Sequence, residues 1–416
     1  MQRKIIRIQL HDLLFFLLVA LSFYFTRNVV CRLIMVVFFG YTVARQLWTK
    51  RKLLYSFFYA GFLVFILYGA ANIFFGNVIN SQVARTMVVS LFLNFLMIYA
   101  IVQYIYMQNN IPKVLQITEL GILLTAVTVV MLSLGTITTG RLGKGTEINA
   151  NMLAMLCVYG LIVSMYLRKI GRFSVWAYGF RLGFYMLVII LTGSRKGLIM
   201  VFLASMVISF IFGRRKLVKN VFLGIVAAAI GYVIIMNVEF LYNIIGIRIE
   251  SLIQYLTEGS VTDGSLKSRL MLSEIALSYI KDKPWTGYGY DCFKLVSGMN
   301  GQGTVSDDTF GYYSHNNYIE LLFGGGIIGL VLYYSPMAYL LKRLIKGIAN
   351  NMCVPYLLAL VISKMAVEYA YVSYYSRIDA YIVAIVLGCV LISGKRVDKM
   401  IPEVNDFELD VNSTID

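Results

Sequence analysis

Three short stretches combine arginine with glycine and small polar residues: Arg141-Leu-Gly-Lys-Gly145, Thr192-Gly-Ser-Arg-Lys-Gly197 and Ser268-Arg269. A guanidinium presents paired planar donors that match phosphate oxygens, so several of them converging on one face would clamp a diphosphate. Arg195 is the most marked, because Gly193 and Gly197 let the backbone turn tightly and leave its side chain facing a cavity rather than lipid. The plainer reading is that each arginine snorkels to lipid headgroups. His315, one of only two histidines, lies in Ser314-His-Asn-Asn-Tyr318 ahead of a glycine-rich segment (Gly324, Gly325, Gly326, Gly329). Imidazole is neutral near pH 7 and nearby guanidiniums lower its pKa further, which keeps it free to accept a proton or orient a hydroxyl. Alone, a histidine at a helix start is more often a polar cap. His11 lies at the end of the first apolar segment and reads as an interface residue.

The elements that position these groups are membrane helices. Of the 416 residues, 59% are hydrophobic and 14% charged, and the apolar runs approach the ~20 residues that a bilayer requires. Twelve spans are expected, near 13–25, 29–43, 54–75, 87–106, 115–138, 152–167, 175–191, 198–212, 217–238, 318–341, 356–374 and 380–392. Runs this long and continuously apolar exclude the alternation of barrel strands, so the fold class is all-α integral membrane protein. The division expected is 1–238 with nine spans, 239–316 as a large extracytoplasmic loop, 317–396 with three spans, and a cytoplasmic tail over 397–416. The five cysteines have neither pairable nor metal-type spacing, and the basic start is a retained first helix rather than a cleaved signal.

Orientation follows from lysine and arginine, which stay cytoplasmic near span ends. They concentrate at both termini and in the even-numbered connections, as in Arg45 to Lys52, Arg168 to Arg172 and Arg214 to Lys219. Both termini are therefore expected inside, with 239–316 outside. The net charge of +16 is mostly this topology signal, and short basic loops offer no folded reader of nucleic acid.

Within the loop, 266–280 carries apolar residues at helical spacing, which predicts an amphipathic lid helix that Pro284 ends. Glu320 follows Asn317 at capping-box spacing. Mid-span Lys364 is expected to pair with Glu368 one turn on, and Arg181 with an acid on another helix or a cavity. Tyr371, Tyr374, Tyr375 and Arg377 form an external aromatic and cationic group that suits either sugar stacking or an interfacial belt. Asp307-Asp308 lie in a polar stretch that reads as solvated loop, so neither metal nor other cofactor is expected.

Thr-Gly-Ser-Arg195, then Ser-Arg269 followed by Lys283-Pro-Trp-Thr-Gly-Tyr-Gly289 and Phe293, then Ser-His315-Asn-Asn-Tyr318 and Gly326-Ile-Ile-Gly-Leu330, in that order and spacing, resemble the O-antigen ligase and polysaccharide polymerase superfamily of bacterial membrane glycosyltransferases. The likeness runs from Arg141 to Leu330. It implies Arg195 and Arg269 as ligands of a polyprenyl-linked diphosphate, with Arg141 and Lys196 beside them, and His315 as the catalytic residue. Tyr318, Tyr375 and Arg377 are the candidates for acceptor or sugar contacts. Lys196 departs from the small residue common at that place. The partners implied are a polyprenyl-diphosphate-linked glycan donor, a glycan acceptor, the bilayer and other polysaccharide-assembly proteins, at the bacterial inner membrane. No closely spaced external carboxylate pair is present for a retaining mechanism, so inversion by single displacement is expected.

A polymerase adding to a second lipid-linked repeat and a ligase adding to a lipid A core or protein both fit these residues. A flippase of lipid-linked sugars would carry a cationic cavity too, yet alternating access normally leaves a two-fold repeat, and the halves of this chain differ in loop length. A purely structural membrane protein leaves the glycine-framed external arginines without a reason.

Overall fold

The computed structural model describes residues 9–25, 29–50, 53–135, 141–143, 146–258, 264–301, 311–349 and 351–397. Nine helices come first: α1 (Leu10–Tyr24), α2 (Val29–Trp48), α3 (Phe57–Phe74), α4 (Ser81–Gln108), α5 (Ile111–Ser133), α6 (Ala150–Lys169), α7 (Val175–Leu191), α8 (Arg195–Ile211) and α9 (Arg214–Asn237). The segment expected as a loop is itself largely helical, with α10 (Glu239–Leu241), a π-helical stretch (Tyr242–Gly246), α11 (Ile247–Glu258), α12 (Gly264–Asp282) and α13 (Phe293–Met299). Then follow α14 (Asn317–Gly347), α15 (Val354–Val367), a 3-10 turn (Glu368–Ala370) and α16 (Arg377–Val397). Among the described residues all regular secondary structure is helical, as expected. Asp307-Asp308, Lys144-Gly145 and the tail beyond 397 lie outside the described residues.

Helices occupy all twelve places where an apolar span is expected, but length and composition separate them. Among the described residues six helices are long and apolar enough to cross a membrane: α2, α3, α4, α5, α6 and α14. A seventh is reached if Gly224–Asn237 and Glu239–Tyr255, bent by 100°, count as one broken span. Four of the others are short. α1, α7, α8 and α15 have 15, 17, 17 and 14 residues, and at ~1.5 Å per residue such helices do not cover a ~30 Å core unaided. The span expected to run to Tyr374 stops at Val367, where the chain turns into an irregular segment ahead of α16.

The packing is that of a multipass membrane protein. Large apolar side chains cover the outside, among them Leu33, Val36, Leu67, Phe180 and Phe222, while Trp48 and Trp176 stand exposed at helix ends as interfacial anchors do. Inside, α6 is enclosed by α5, α7, α8 and α15, and α16 lies against α4. The mid-helix charges are paired, as a low-dielectric interior requires. Arg181 donates to Glu119 at 2.9 Å, joining α7 to α5. Lys364 pairs with Glu368, whose other oxygen accepts from Tyr334 at 2.7 Å. His11 differs from expectation: it is fully buried, bonded to Thr42 and Arg45 and ringed by Phe38, Tyr41 and Tyr104.

The glycine-rich run in α14 is a break. Gly326 has φ 61° and ψ −164°, so the helix is interrupted there. The segment after α12 inserts into the gap, with Tyr288 and Gly289 amides donating to the carbonyls of Phe323 and Gly324 at 2.8 Å each. In return the amides of Ile327 and Ile328 donate to the carbonyls of Pro284 and Trp285. Backbone groups freed by the break are thereby satisfied without water, as a membrane interior demands. A side chain at Gly326 would overlap the Trp285 carbonyl. The splice fixes α12, which packs Leu272 and Ala276 inward, against α14.

Candidate functional site

One end of the helix bundle gathers five chain segments. The first is the stretch at Arg141, whose Nε donates to the Thr192 carbonyl at 2.6 Å and whose Nη2 donates to Asn151 Oδ1 at 3.2 Å. The Leu142 amide adds a bond to the Leu191 carbonyl, so this strip is laid along the α7–α8 turn. That turn depends on Gly193, which has φ +57° and approaches so closely that a Cβ would sit 2.8 Å from the Ile244 carbonyl oxygen of the π-helical stretch. Gly197 meets α6, where a Cβ would lie 2.9 Å from Ala154 Cβ. The two glycines thus admit close backbone approach on both sides of Arg195.

Arg195 opens α8 and donates from Nη1 to the backbone carbonyl of Arg248 at 3.1 Å. Ser194 occupies the N-cap position but gives its hydroxyl to Asn151 Oδ1 instead of capping, so the positive end of α8 joins the cations around it. Lys196 is buried, with its ammonium 5.5 Å from the centre of the Tyr371 ring. The Tyr371 hydroxyl donates to Asp379, which also accepts from Tyr159, so the ring is held from behind. Arg269 comes in on α12 and is half-buried.

These cations act on one another. Burial first, then Arg248, Arg269 and Arg195, push the Arg141 guanidinium down to about 10. The same field reaches His315. Burial, Arg269 and Lys196 together push its imidazole down to about 3, which leaves it neutral near pH 7. Mutual repulsion of this kind is relieved by an anion, and donors fixed in advance around a low-dielectric space bind developing negative charge strongly.

His315 stands in the last turn before α14 with φ +58°. A left-handed backbone costs a residue with a side chain about 1–3 kcal/mol and persists only where its surroundings impose it. Tyr313 lies against the imidazole, ring centres 4.2 Å apart. The helix start is capped by Asn316, whose Oδ1 accepts from the Tyr318 and Ile319 amides. Asn317 is not the cap expected from its spacing to Glu320. Its Oδ1 accepts from the Ser373 and Tyr374 amides and its Nδ2 donates to Tyr334, linking α14 to the segment before α16. Glu320 accepts from the Ser314 amide instead.

The expected site residues thus divide. Arg141, Arg195, Lys196, Arg269 and His315 come together. Tyr318 is placed apart, its hydroxyl on the Met365 carbonyl and its ring stacked on Tyr334. Arg377 reaches Cys31 Sγ at 3.5 Å, towards α2. Tyr375 lies under the Lys294 ammonium, which also pairs with Asp291. Arg248 is the member that spacing did not reveal, although Gly246-Ile-Arg248 repeats the glycine-then-arginine pattern that marked the others. Asn151, which ties Arg141 to Ser194, carried no signal of its own. Among the described residues no group of three or more His, Cys, Asp or Glu could hold a metal ion.

Residues 180–334 match the family model described as O-antigen ligase. This stretch contains Arg195, Lys196, Arg248, Arg269, His315 and the broken α14, and it supports the O-antigen ligase and polymerase superfamily as the one this protein resembles. The chain has the apolar helices of a multipass membrane protein, and its residues 180–334 are similar to the O-antigen ligase family. No curated protein matches it.

Proposed function

We propose that the protein transfers a glycan from a polyprenyl diphosphate to a sugar hydroxyl of a second lipid-linked repeat, on the extracytoplasmic face, with both termini cytoplasmic. The observation that carries this reading is the gathering of Arg141, Arg195, Lys196, Arg248 and Arg269, of which Arg269 and Lys196 face a neutral His315. Such a donor is already activated. The acceptor oxygen attacks the anomeric carbon, the bond to the diphosphate oxygen breaks, and the electron pair leaves with the diphosphate. The cations hold that charge, and His315 takes the hydroxyl proton. One displacement inverts the anomeric centre, and no residue of the cluster calls for a metal.

A second reading keeps the donor chemistry and changes the acceptor to a lipid A core or a protein, in keeping with the ligase description of the matching family model. Purified protein incubated with its lipid-linked repeat alone separates the two. A ladder of lengthening products is expected. Product formed only when a lipid A core or protein acceptor is added would assign the ligase, and lipid-linked sugar moved across vesicles without any transfer would assign a flippase.

A further inference from the structure

Glu320 has a role beyond helix capping. It sits in the first turn of α14, is 2% exposed, and accepts the Ser314 amide on Oε2 at 2.7 Å, while Oε1 has no hydrogen-bond partner. Asn316 already satisfies the first amides of the helix, so Glu320 is not needed to start it. It reaches back over the helix start to the residue immediately before His315. On that side Ser314 is doubly engaged, since its hydroxyl donates to the Asn316 carbonyl and accepts from the Asn316 amide. Ser314 and Asn316, the two neighbours of His315, are therefore fixed, and the left-handed backbone between them is imposed rather than chosen.

A buried carboxylate is a costly way to hold one amide unless the placement matters. The groups facing it are Asp291, just before α13, and Lys294, in its first turn, which pair with each other, together with Cys292, Tyr374 and Tyr313. Tyr313 lies in turn against the imidazole. Two of the groups around Glu320, Ser314 and Tyr313, therefore belong to the His315 turn or pack on it.

We propose that Glu320 is a positioning residue for His315: by holding the Ser314 amide it fixes the left-handed turn that aims the imidazole towards Arg269 and Lys196. The inference rests on His315 being the proton acceptor of the proposed reaction.

The test uses the full chain in detergent or nanodiscs, with polyprenyl-diphosphate-linked glycan extracted from the cells that make it as substrate. Glu320→Ala, Glu320→Gln, His315→Ala and the double variant Glu320→Ala/His315→Ala are compared for donor capture and for product formation. Displacing a reacting group by ~1 Å costs on the order of 100-fold, so Glu320→Ala is expected to lower kcat about 100-fold with donor capture unchanged. Gln offers a carbonyl oxygen at the same reach and restores most of the rate. The double variant is no slower than His315→Ala, because residues acting as one unit are not additive.

A nuclear magnetic resonance readout stands apart from activity. With two histidines in the chain, the labelled imidazole signal that disappears in His315→Ala is that of His315. It is expected to shift in Glu320→Ala and to return in Glu320→Gln. An unshifted signal with full kcat in Glu320→Ala overturns the proposal, as does a double variant slower than His315→Ala by the whole factor of Glu320→Ala. Should Glu320→Ala not fold, Glu320→Gln decides: a wild-type signal with lost kcat would assign a role to the charge and remove positioning. Retained transfer in His315→Ala would overturn the reading of His315 itself, whereas an inactive His315→Ala beside a fully active Glu320→Ala removes Glu320 alone.

Discussion

Arg195 donates to the backbone carbonyl of Arg248 at 3.1 Å, so a side chain in the first turn of α8 holds the start of α11 and, with it, a second guanidinium. The bond is made from Nη1 of a planar, forked guanidinium, the shape that also matches phosphate oxygens. Arg195 thus has a structural task beside the cavity-facing one expected from its glycine neighbours.

Arg195→Ala and Arg269→Ala are expected to lower transfer about 100-fold or more while the protein remains folded and inserted, since losing one fixed donor typically costs ~3 kcal/mol. Lysine should rescue poorly at either place, and at Arg195 worse, because one ammonium lacks the fork that spans a carbonyl and a phosphate. Rates with the lipid-linked donor and insertion measured on the same membranes check this. Near-normal transfer in Arg195→Ala would leave that residue the task of holding α11 and nothing more.

Gly326→Ala tests the splice between α12 and α14. The residue has φ 61° and ψ −164°, and its Cβ would collide with the backbone of Trp285. Strain and overlap together are expected to cost at least about 2 kcal/mol, read as a lower midpoint of thermal unfolding in detergent. Gly224→Ala is the control, because nothing lies within 4 Å of its Cβ direction and alanine favours a helix. Equal stability of the two variants would mean that the Pro284 to Gly289 segment does not fill the break.

The helices were legible in the sequence because hydropathy marks them locally, and Arg195, Arg269 and His315 drew attention through their glycine and small polar neighbours. The splice at Gly326 was not legible, since it depends on two segments some forty residues apart trading backbone bonds, and a glycine run inside an apolar stretch reads as helix. The cap was misplaced by one residue: Asn316 and Asn317 are chemically identical, and only the packing of Asn317 against Ser373 and Tyr374 separates them. Tyr318 looked available for sugar because its hydroxyl partner, the Met365 carbonyl, is a backbone group invisible to motif reading.

Topology is tested by cysteine labelling. All five native cysteines are buried, which keeps the background low. A cysteine replacing exposed Asn300 at the end of α13 is expected to react with an impermeant reagent in intact cells, and one replacing exposed Lys219 in α9 only after the membrane is opened. The reverse pattern would turn the molecule over and remove the cation cluster from the extracytoplasmic face.

The last expectation concerns the protonation of His315 and how it changes with the donor. Burial, Arg269 and Lys196 push the imidazole down to about 3. Its folded pKa thus lies below the usual value near 6.5, so the group's contribution to stability is complete above 6.5 and is lost as pH falls from there towards 3. A base this weak is a poor partner for a sugar hydroxyl. A bound diphosphate places negative charge beside the same cations and raises the imidazole pKa, so basicity arrives with the donor. Because kcat/KM reports the free enzyme and kcat the complex, kcat should fall at higher pH than kcat/KM on the acid side. Both are measurable between pH 5 and 8. His315→Ala should lose on the order of 10²–10⁴ in the chemical step yet still capture the donor, since the cations that bind it are untouched. An inflection near 6.5 in kcat/KM that disappears in His315→Ala would mean that the imidazole of the free enzyme is solvated rather than enclosed by Arg269 and Lys196. Transfer retained in His315→Ala would take the residue out of the mechanism altogether.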